Sequence, residues 1–254
     1  MTHSLEIRHL GTIDYQEAAD LQRRLVEERR AGSVSDLLLL LEHPHVITLG
    51  VRARGDHKHV LATGDELTKK GVALIESGRG GDVTYHGPGQ LVVYPILDLK
   101  PDRCDVHRYV RDLEEVLIRT AATFGVRASR VKGLTGVWVG DRKLAAIGVR
   151  ISRWITSHGV ALNVTTDLSY FNLIVPCGIV DRRVTSLEQH LGQRLPMADV
   201  EAVFTRHFCD VLDRVASGIV QKDYPGLGHE ADLERKDEAP PQLTSSEKRF
   251  VTAN

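Results

Sequence analysis

The second half of the chain constrains the fold most, because it places three strand signals in succession without a helix between them. Gly136–Val139 and Leu144–Ile151 flank a turn at Gly140 and Asp141, and Ser157–Val164 follows closely. A turn this short joins antiparallel strands, whereas a parallel pair needs a long crossover connection. This half of the chain therefore predicts neighbouring antiparallel strands.

The remaining segments mix strand and helix signals without the regular alternation of a doubly wound fold. One helix is predicted from Asp14 to about Ala31, a second from Asp105 to Gly125, and a third over about Val200–Val215. Further strands are predicted at Leu5–Leu10, Asp36–Glu42, Val46–Gly50, Val72–Glu76 and Leu91–Leu97. Together these elements predict a single α+β domain with a mixed, largely antiparallel β-sheet flanked by helices.

The composition changes near residue 221. Residues 229–249 are polar and almost devoid of large apolar side chains. Such a segment cannot bury enough surface to offset the entropy lost on ordering. The sequence therefore predicts one domain over residues 1–220 and a disordered tail over residues 221–254.

Truncation after Gln221 is accordingly expected to leave the melting temperature and the activity nearly unchanged. Thermal unfolding of the full and truncated chains checks this expectation. A large loss of thermal stability would show that the tail packs on the domain.

Charge and cysteine content exclude several classes of function. The net charge is −1, which gives no electrostatic case for nucleic acid or an anionic membrane as partner. The first residues lack the pattern of a secretory signal, and no apolar run is long enough to span a bilayer. The three widely spaced cysteines predict neither a disulfide framework nor a metal site. We expect a reducing, cytoplasmic environment, in which a free thiol persists.

Cys177 is the candidate nucleophile. It lies between Pro176, which restricts the backbone, and Gly178, which permits close approach of a ligand. The alternative is a buried cysteine acting as a small hydrophobic residue in an apolar stretch. Cys104 and Cys209 lack a comparable setting and are interpreted as structural or incidental.

A free thiol has a pKa near ~8.5 and needs assistance to react quickly at neutral pH. Lys143 is the candidate for that assistance, since it opens the apolar strand LAAIG. The alternative is a solvated lysine beside the turn. His158 is a possible orienting residue, although a lone histidine within a strand is as often structural.

The segment RGGDVTYHGPGQ, residues 79–90, contains four glycines and one proline. We interpret it as a loop whose backbone N–H groups can bind an anion or a developing oxyanion. It is neither a P-loop nor a dinucleotide-binding fingerprint, because the spacing and the following strand do not match.

Six strings in this order carry a resemblance to a known family: RGGDVTYHGPGQLVVYP, GLTGVWV, KLAAIG, HGVALNV, PCGI and TSL. With them the chain resembles the lipoyl(octanoyl) transferases of the biotin/lipoate protein ligase superfamily. The likeness covers about residues 5–215 and implies that superfamily's fold.

The resemblance also implies roles for individual residues. It makes Cys177 the residue that accepts the acyl group and Lys143 its activating partner. The substrate-binding residues it implies are Arg79, Gly80, Gly81, Asp82, Val83, Thr84, Tyr85, His86, Ala146, Ile147, Gly148, Gly159, Val160 and Ala161. Asp82 carries little weight, because that position is expected to vary.

The implied reaction takes an octanoyl group from acyl carrier protein, where phosphopantetheine holds it as a thioester. The group passes to Cys177 and then to a lysine of a lipoyl domain, in 2-oxoacid dehydrogenase complexes or in the glycine cleavage H protein. No ATP or other cofactor is expected. Two alternatives stay open: an ATP-dependent lipoate or biotin protein ligase, and a noncatalytic module that binds carrier proteins.

Overall fold

The computed structural model of the chain describes residues 3–175 and 183–221. Two β-sheets and five α-helices lie within these residues. The larger sheet contains β1 His3–Thr12, β2 Asp36–Glu42, β6 Gln90–Ile96, β7 Ser129–Val131, β8 Leu134–Val139, β9 Arg142–Ser152, β10 Ile155–Asn163 and β11 Arg214–Gln221. The smaller sheet contains β3 Val46–Leu49, β4 Ala73–Glu76 and β5 Val83–His86. The helices are α1 Tyr15–Arg30, α2 Gly64–Lys69, α3 Val106–Thr123, α4 Leu187–Leu191 and α5 Met197–Leu212, and a 3₁₀ helix spans Leu168–Leu173.

The larger sheet has the strand order β11-β1-β2-β6-β10-β9-β8-β7. β1 pairs in parallel with β2 and β11. The remaining neighbours, from β2 through β6, β10, β9 and β8 to β7, pair antiparallel. The predicted mixed, largely antiparallel sheet is therefore confirmed.

Helices cover both faces of this sheet. On β2, Leu38 and Leu40 belong to the apolar core that also contains residues of α3 and α5. Leu37, Leu39 and Leu41 alternate with them and belong to the core against α1. Successive side chains of a strand point to opposite faces, so a continuous leucine run is what a strand buried on both sides requires.

The structure differs from the prediction at several elements, and α2, α4, β7 and β11 lie outside the predicted helices and strands. Val83–His86, predicted as part of a loop, forms β5 and pairs with β3 in the second, smaller sheet. The last predicted helix ends at Leu212 rather than Val215, because Asp213 adopts a left-handed conformation (φ 53°) and β11 begins at Arg214. Glycines on both sides of Val83–His86, and Pro88 after it, concealed the strand, since these residues are typical of turns.

Candidate functional site

A cavity of about 490 Å³ lies where the smaller sheet meets β9 and β10. Twelve of the fourteen predicted substrate-binding residues line it, and so do Lys143 and His158. The glycine-rich segment forms one wall, while Ala146, Gly148 and Ala161 contribute small side chains from the larger sheet. The structure thus brings three sequence-distant motifs to one cavity, which we call the chamber.

Tyr85 and Val160, which the resemblance also implies as substrate-binding residues, do not line the chamber. The Tyr85 ring packs against Tyr170 and Phe171 at centroid distances of 5.2 and 5.3 Å, on the far side of β5. Val160 lies in the core that α3 and α5 cover. Thr84 and Ala161, their neighbours in sequence, do line the chamber. The alternation of side chains along a strand separates them.

The glycine-rich segment approaches β9 closely. The N–H of Gly80 donates to the carbonyl oxygen of Val149 at 3.0 Å. A Cβ atom on Gly148 would lie 3.0 Å from the carbonyl oxygen of Gly80, which is tighter than ordinary contact. These glycines are therefore required for packing of backbone on backbone, and the Gly80 N–H is already used by a protein acceptor.

Lys143 is buried, with 8% of its surface exposed, so the alternative of a solvated lysine is wrong. Its ammonium nitrogen lies 4.8 Å from the centroid of the Trp138 ring, in cation–π geometry. Its backbone N–H donates to the carbonyl oxygen of Arg183, and its carbonyl oxygen accepts from the N–H of Thr185, both at 2.9 Å. Lys143 is thus tied to the segment that follows residues 176–182.

Cys177 lies outside the described residues, but the chain on each side of residues 176–182 is anchored beside the chamber. Before this stretch, the N–H of Val175 donates to the carbonyl oxygen of His59 at 2.8 Å. The His59 ring in turn contacts Asp82, with 2.7 Å between Nδ1 and Oδ2. After it, Arg183 is bonded to Lys143. Asp82 and Lys143 both line the chamber, so the chain enters and leaves residues 176–182 near its wall.

The other two cysteines do not line the chamber. Cys104 is exposed. Cys209 packs at the edge of the core, and burial raises the pKa of its thiol. Such a thiol is less reactive at neutral pH.

A chain of buried polar groups runs beneath the chamber from Arg79 to Thr185. Arg79 donates to the Thr48 hydroxyl oxygen at 2.9 Å, and that hydroxyl faces Nε2 of His86 at 3.5 Å. Nδ1 of His86 lies 2.7 Å from the Gln90 amide oxygen. The Gln90 and Asn163 amides continue the chain to the carbonyl oxygen of Thr185, in two steps of 2.9 Å. Buried polar groups need such partners, and this chain supports both walls of the chamber.

Sequence reasoning did not assign roles to Thr48, Gln90, Asn163, Tyr15 or Tyr94. Gln90 lies in RGGDVTYHGPGQLVVYP and Asn163 in HGVALNV. A polar side chain within or at the end of an apolar strand was the sequence signal that could have indicated a role for each. Tyr15 and Tyr94 line the chamber, and Thr48 is fully buried. Their roles depend on pairing between distant segments, which spacing along one chain does not reveal.

Three buried histidines near the chamber are held neutral. Burial lowers the pKa of His43 to about 4. Burial also lowers the pKa of His158 to about 4, and the positive charges of Arg79 and Arg150 lower it further. Burial lowers the pKa of His86 well below its usual value. At neutral pH these side chains therefore act as uncharged hydrogen-bonding and packing groups.

These shifts predict acid sensitivity. Below about pH 6.5 the unfolded chain takes up protons that the folded state does not, so the free energy of unfolding should fall between about pH 6.5 and pH 4. Above pH 6.5 this contribution is fully present. Urea unfolding at several pH values measures the effect, and His158→Asn should show a shallower dependence. A free energy of unfolding that stays constant down to pH 5 would contradict the prediction.

Within residues 3–175 and 183–221, no group of three or more His, Cys, Asp or Glu side chains is placed to hold a metal ion. In the same part of the chain, no helix combines the length and apolar character needed to cross a membrane.

Known proteins resemble this chain over most of its length. A family model, the lipoyl protein ligase A/B catalytic domain, matches residues 14–209. The octanoyltransferase of Solibacter usitatus is 55% identical over 207 residues, covering 82% of this chain and 92% of that protein. The octanoyltransferase of Chloroflexus aggregans is 53% identical over 213 residues, covering 83% of this chain and 96% of that protein.

Solved structures share the fold at low sequence identity. Lipoate-protein ligase A bound with ATP has a TM-score of 0.65 at 17% identity, covering 87% of this chain and 90% of that one. A bi-partite lipoate protein ligase from Thermoplasma acidophilum, studied with its E2 lipoyl domain, has a TM-score of 0.63 at 18% identity, covering 86% and 88%. The predicted ligase-like architecture is confirmed.

Proposed function

Because this chain belongs to the lipoyl protein ligase A/B catalytic domain family, we propose that it transfers an octanoyl group to a lysine of a lipoyl domain through a thioester on Cys177. The observation that carries the proposal is the 55% identity to an octanoyltransferase over 92% of that relative's length. The chamber supports it, because small side chains and glycines leave a pocket along β9 and β10 that suits an alkyl chain.

The donor is octanoyl acyl carrier protein. The Cys177 thiolate attacks the carbonyl carbon of the donor thioester, a new thioester forms, and the donor's thiolate leaves and takes up a proton. Exchange of one thioester for another is nearly balanced in free energy, so a thiol suits this step.

In the second step, the neutral ε-amine of the acceptor lysine attacks the carbonyl carbon of the acyl-enzyme. An amide forms, the Cys177 thiolate leaves, and the amine loses its extra proton. Because an amide is more stable than a thioester, the step is downhill and requires no ATP.

Lys143 suits both steps. Its ammonium is buried at the wall of the chamber, and its backbone holds the chain immediately after residues 176–182. A positive charge close to a thiol favours the thiolate. As a neutral amine, the same group would accept the thiol proton. Either role requires Cys177 to lie beside Lys143.

The acceptors are the lipoyl domains of 2-oxoacid dehydrogenase complexes and the glycine cleavage H protein. Each acceptor supplies the lysine whose ε-amine attacks the acyl-enzyme. A cytoplasmic location and the absence of a cofactor belong to the same proposal.

The decisive experiment mixes the enzyme with octanoyl acyl carrier protein and an isolated lipoyl domain, with residual ATP removed by apyrase. Intact-mass spectrometry is expected to show one octanoyl group first on the enzyme and then on the lipoyl domain. A parallel reaction with free octanoate and ATP serves as control. Transfer seen only in that control would overturn the proposal in favour of an ATP-dependent ligase, the activity named for the structural neighbour with bound ATP.

A further inference from the structure

A second cavity, of about 500 Å³, lies beside the chamber. Helix α1, the end of β4 and the adjoining ends of β9 and β10 surround it. Tyr15 and His158 line both cavities, whereas Gln22 and Arg150 line the second cavity and not the chamber. Its volume is typical of a site for a small ligand, and the proposed acyl transfer gives it no role.

The ring of His158 reaches this cavity because the backbone departs there from a regular strand. Alternation along β10 would direct His158 to the core that contains Val160 and Leu162, which α3 and α5 cover. Residue 158 instead has a φ of 54°, and its ring stands edge-on to Tyr94 at 6.0 Å, in the core on the α1 side. Such a conformation is uncommon for a residue other than glycine and persists only where its surroundings hold it. The fold thus places an imidazole in the wall of the second cavity.

Two buried groups of the cavity wall lack hydrogen-bond partners. Gln22 is 3% exposed and His158 is 9% exposed. The Gln22 amide oxygen accepts from the backbone N–H of His158 at 2.7 Å, which leaves Nε2 of Gln22 as the group without a role. Neither this Nε2 nor Nδ1 of His158 has a partner among the described residues. An amide NH₂ group can only donate, and a buried donor left unpaired lowers stability, so this wall calls for an acceptor.

Arg150 adds a positive charge to the same cavity. A Cβ atom on Gly78 would lie 2.9 Å from a guanidinium nitrogen of Arg150, so glycine at that position leaves room for the guanidinium. The charge lies close enough to His158 to lower the pKa of its imidazole. Within residues 3–175 and 183–221, Arg150 forms no hydrogen bond or ion pair. Its guanidinium is therefore available to a ligand.

The acidic side chains of the cavity wall already accept hydrogen bonds. Both carboxylate oxygens of Glu27 accept from Arg30 at 2.6 Å, and Glu76 accepts from the N–H of Gly55 at 3.2 Å. The unmet hydrogen-bonding capacity of the wall is thus that of donors, and one of these donors is charged. Water accepts from such groups but leaves the charge without a counterion, whereas an oxyanion meets both requirements.

We propose that the second cavity binds a small oxyanion, a carboxylate or a phosphate, through Nε2 of Gln22, Nδ1 of His158 and the guanidinium of Arg150. Such a site does not depend on the acyl transfer proposed above. At neutral pH the imidazole is uncharged, so Nδ1 donates only in the tautomer that carries its proton there. A bound oxyanion therefore selects that tautomer.

Titration of the full chain with sodium phosphate and, separately, with sodium malonate tests the site at neutral pH. Isothermal titration calorimetry measures the affinity, with sodium chloride at matched ionic strength as control. Long-range proton–nitrogen correlation spectra report the His158 imidazole, whose signals are assigned by their absence from His158→Asn. We expect saturable binding of phosphate or malonate, together with a shift of His158 toward the tautomer protonated at Nδ1. Sodium chloride should produce neither effect.

Two variants remove donors from the cavity, and two matched variants leave it intact. Gln22→Glu keeps the oxygen that accepts from the His158 N–H and replaces the amide donor with an oxygen, while Arg150→Met removes the charge. Each should weaken the affinity at least about tenfold, as expected when a hydrogen bond to a charged group is lost. Arg24→Met removes an exposed arginine of α1 outside the cavity, and Arg52→Met removes an arginine of the chamber. Both should keep the wild-type affinity.

Circular dichroism and the melting temperature report folding, and the exposed Arg150 carries the test if Gln22→Glu does not fold. Absence of saturable binding for both probes would overturn the proposal and leave a cavity that holds water. An affinity that Gln22→Glu and Arg150→Met leave unchanged would also overturn it. A loss confined to Arg52→Met would do the same, because the anion would then occupy the chamber. Failure of octanoyl transfer, measured separately, would overturn only the proposed function.

Discussion

Replacing Cys177 by alanine is expected to abolish the octanoyl adduct on the enzyme and to reduce transfer to the lipoyl domain by on the order of 10⁴-fold or more. Loss of a covalent nucleophile removes the only intermediate that divides the reaction into two easier steps. Intact-mass spectrometry measures the adduct, and single-turnover kinetics measure the transfer.

The chain supplies matched controls for this experiment in its other two cysteines. Cys104→Ala removes an exposed thiol, and Cys209→Ala removes a thiol whose pKa is raised by burial. Both variants should keep the adduct and nearly normal transfer. A Cys177→Ala protein that still modifies the lipoyl domain at the normal rate would refute the covalent mechanism.

Removing the charge of Lys143 is expected to slow both steps and to raise the pKa of the Cys177 thiol toward its free value. Each unit of that rise corresponds to about 1.4 kcal/mol, and to roughly tenfold less thiolate at a pH below the pKa. The rate of alkylation by iodoacetamide between pH 6 and pH 10 measures the thiol pKa. Lys143→Met is the sharper variant, because it keeps an unbranched side chain over the Trp138 ring while removing the charge.

Lys143→Arg distinguishes the two possible roles of the residue. Arginine keeps the positive charge but does not give up a proton at these pH values. A folded Arg variant that keeps a low thiol pKa and binds the donor, yet transfers no acyl group, identifies Lys143 as a base. An unchanged pH dependence of alkylation in Lys143→Met would exclude an ion pair between Lys143 and Cys177.

Local signals in the sequence closely predict most strands of the larger sheet and the long helices that cover it. Asp14 caps α1 as predicted, accepting hydrogen bonds from the N–H groups of Gln16 and Glu17. The apolar run at residues 37–41 marks a strand buried on both faces. In these segments the composition, the spacing of apolar residues and the capping residues all indicate the same element. Tertiary contacts therefore do not override the local preference.

The parts that could not be predicted depend on contacts between distant segments. The sequence assigns Tyr85 and Val160 to the substrate site with their neighbours, but strand alternation turns them away from the chamber. Burial of Lys143 follows from its backbone pairing with residues 183–185, about forty positions later. The contact of α1 with β10, where the N–H of His158 donates to the Gln22 amide oxygen, is likewise one that no motif encodes.

The buried polar chain from Arg79 to Thr185 restricts how this protein can evolve, because its hydrogen bonds all run one way. A guanidinium only donates and a backbone carbonyl oxygen only accepts, so the two ends fix the direction of every bond between them. Changing Gln90 to Glu or Asn163 to Asp replaces a donor with an acceptor and leaves two oxygens facing each other. We expect such single changes to lower stability even though they preserve shape. Substitutions at these hydrogen-bonded positions should therefore accumulate as compensating pairs. The effect of a change at one position should depend strongly on the residue at its hydrogen-bond partner.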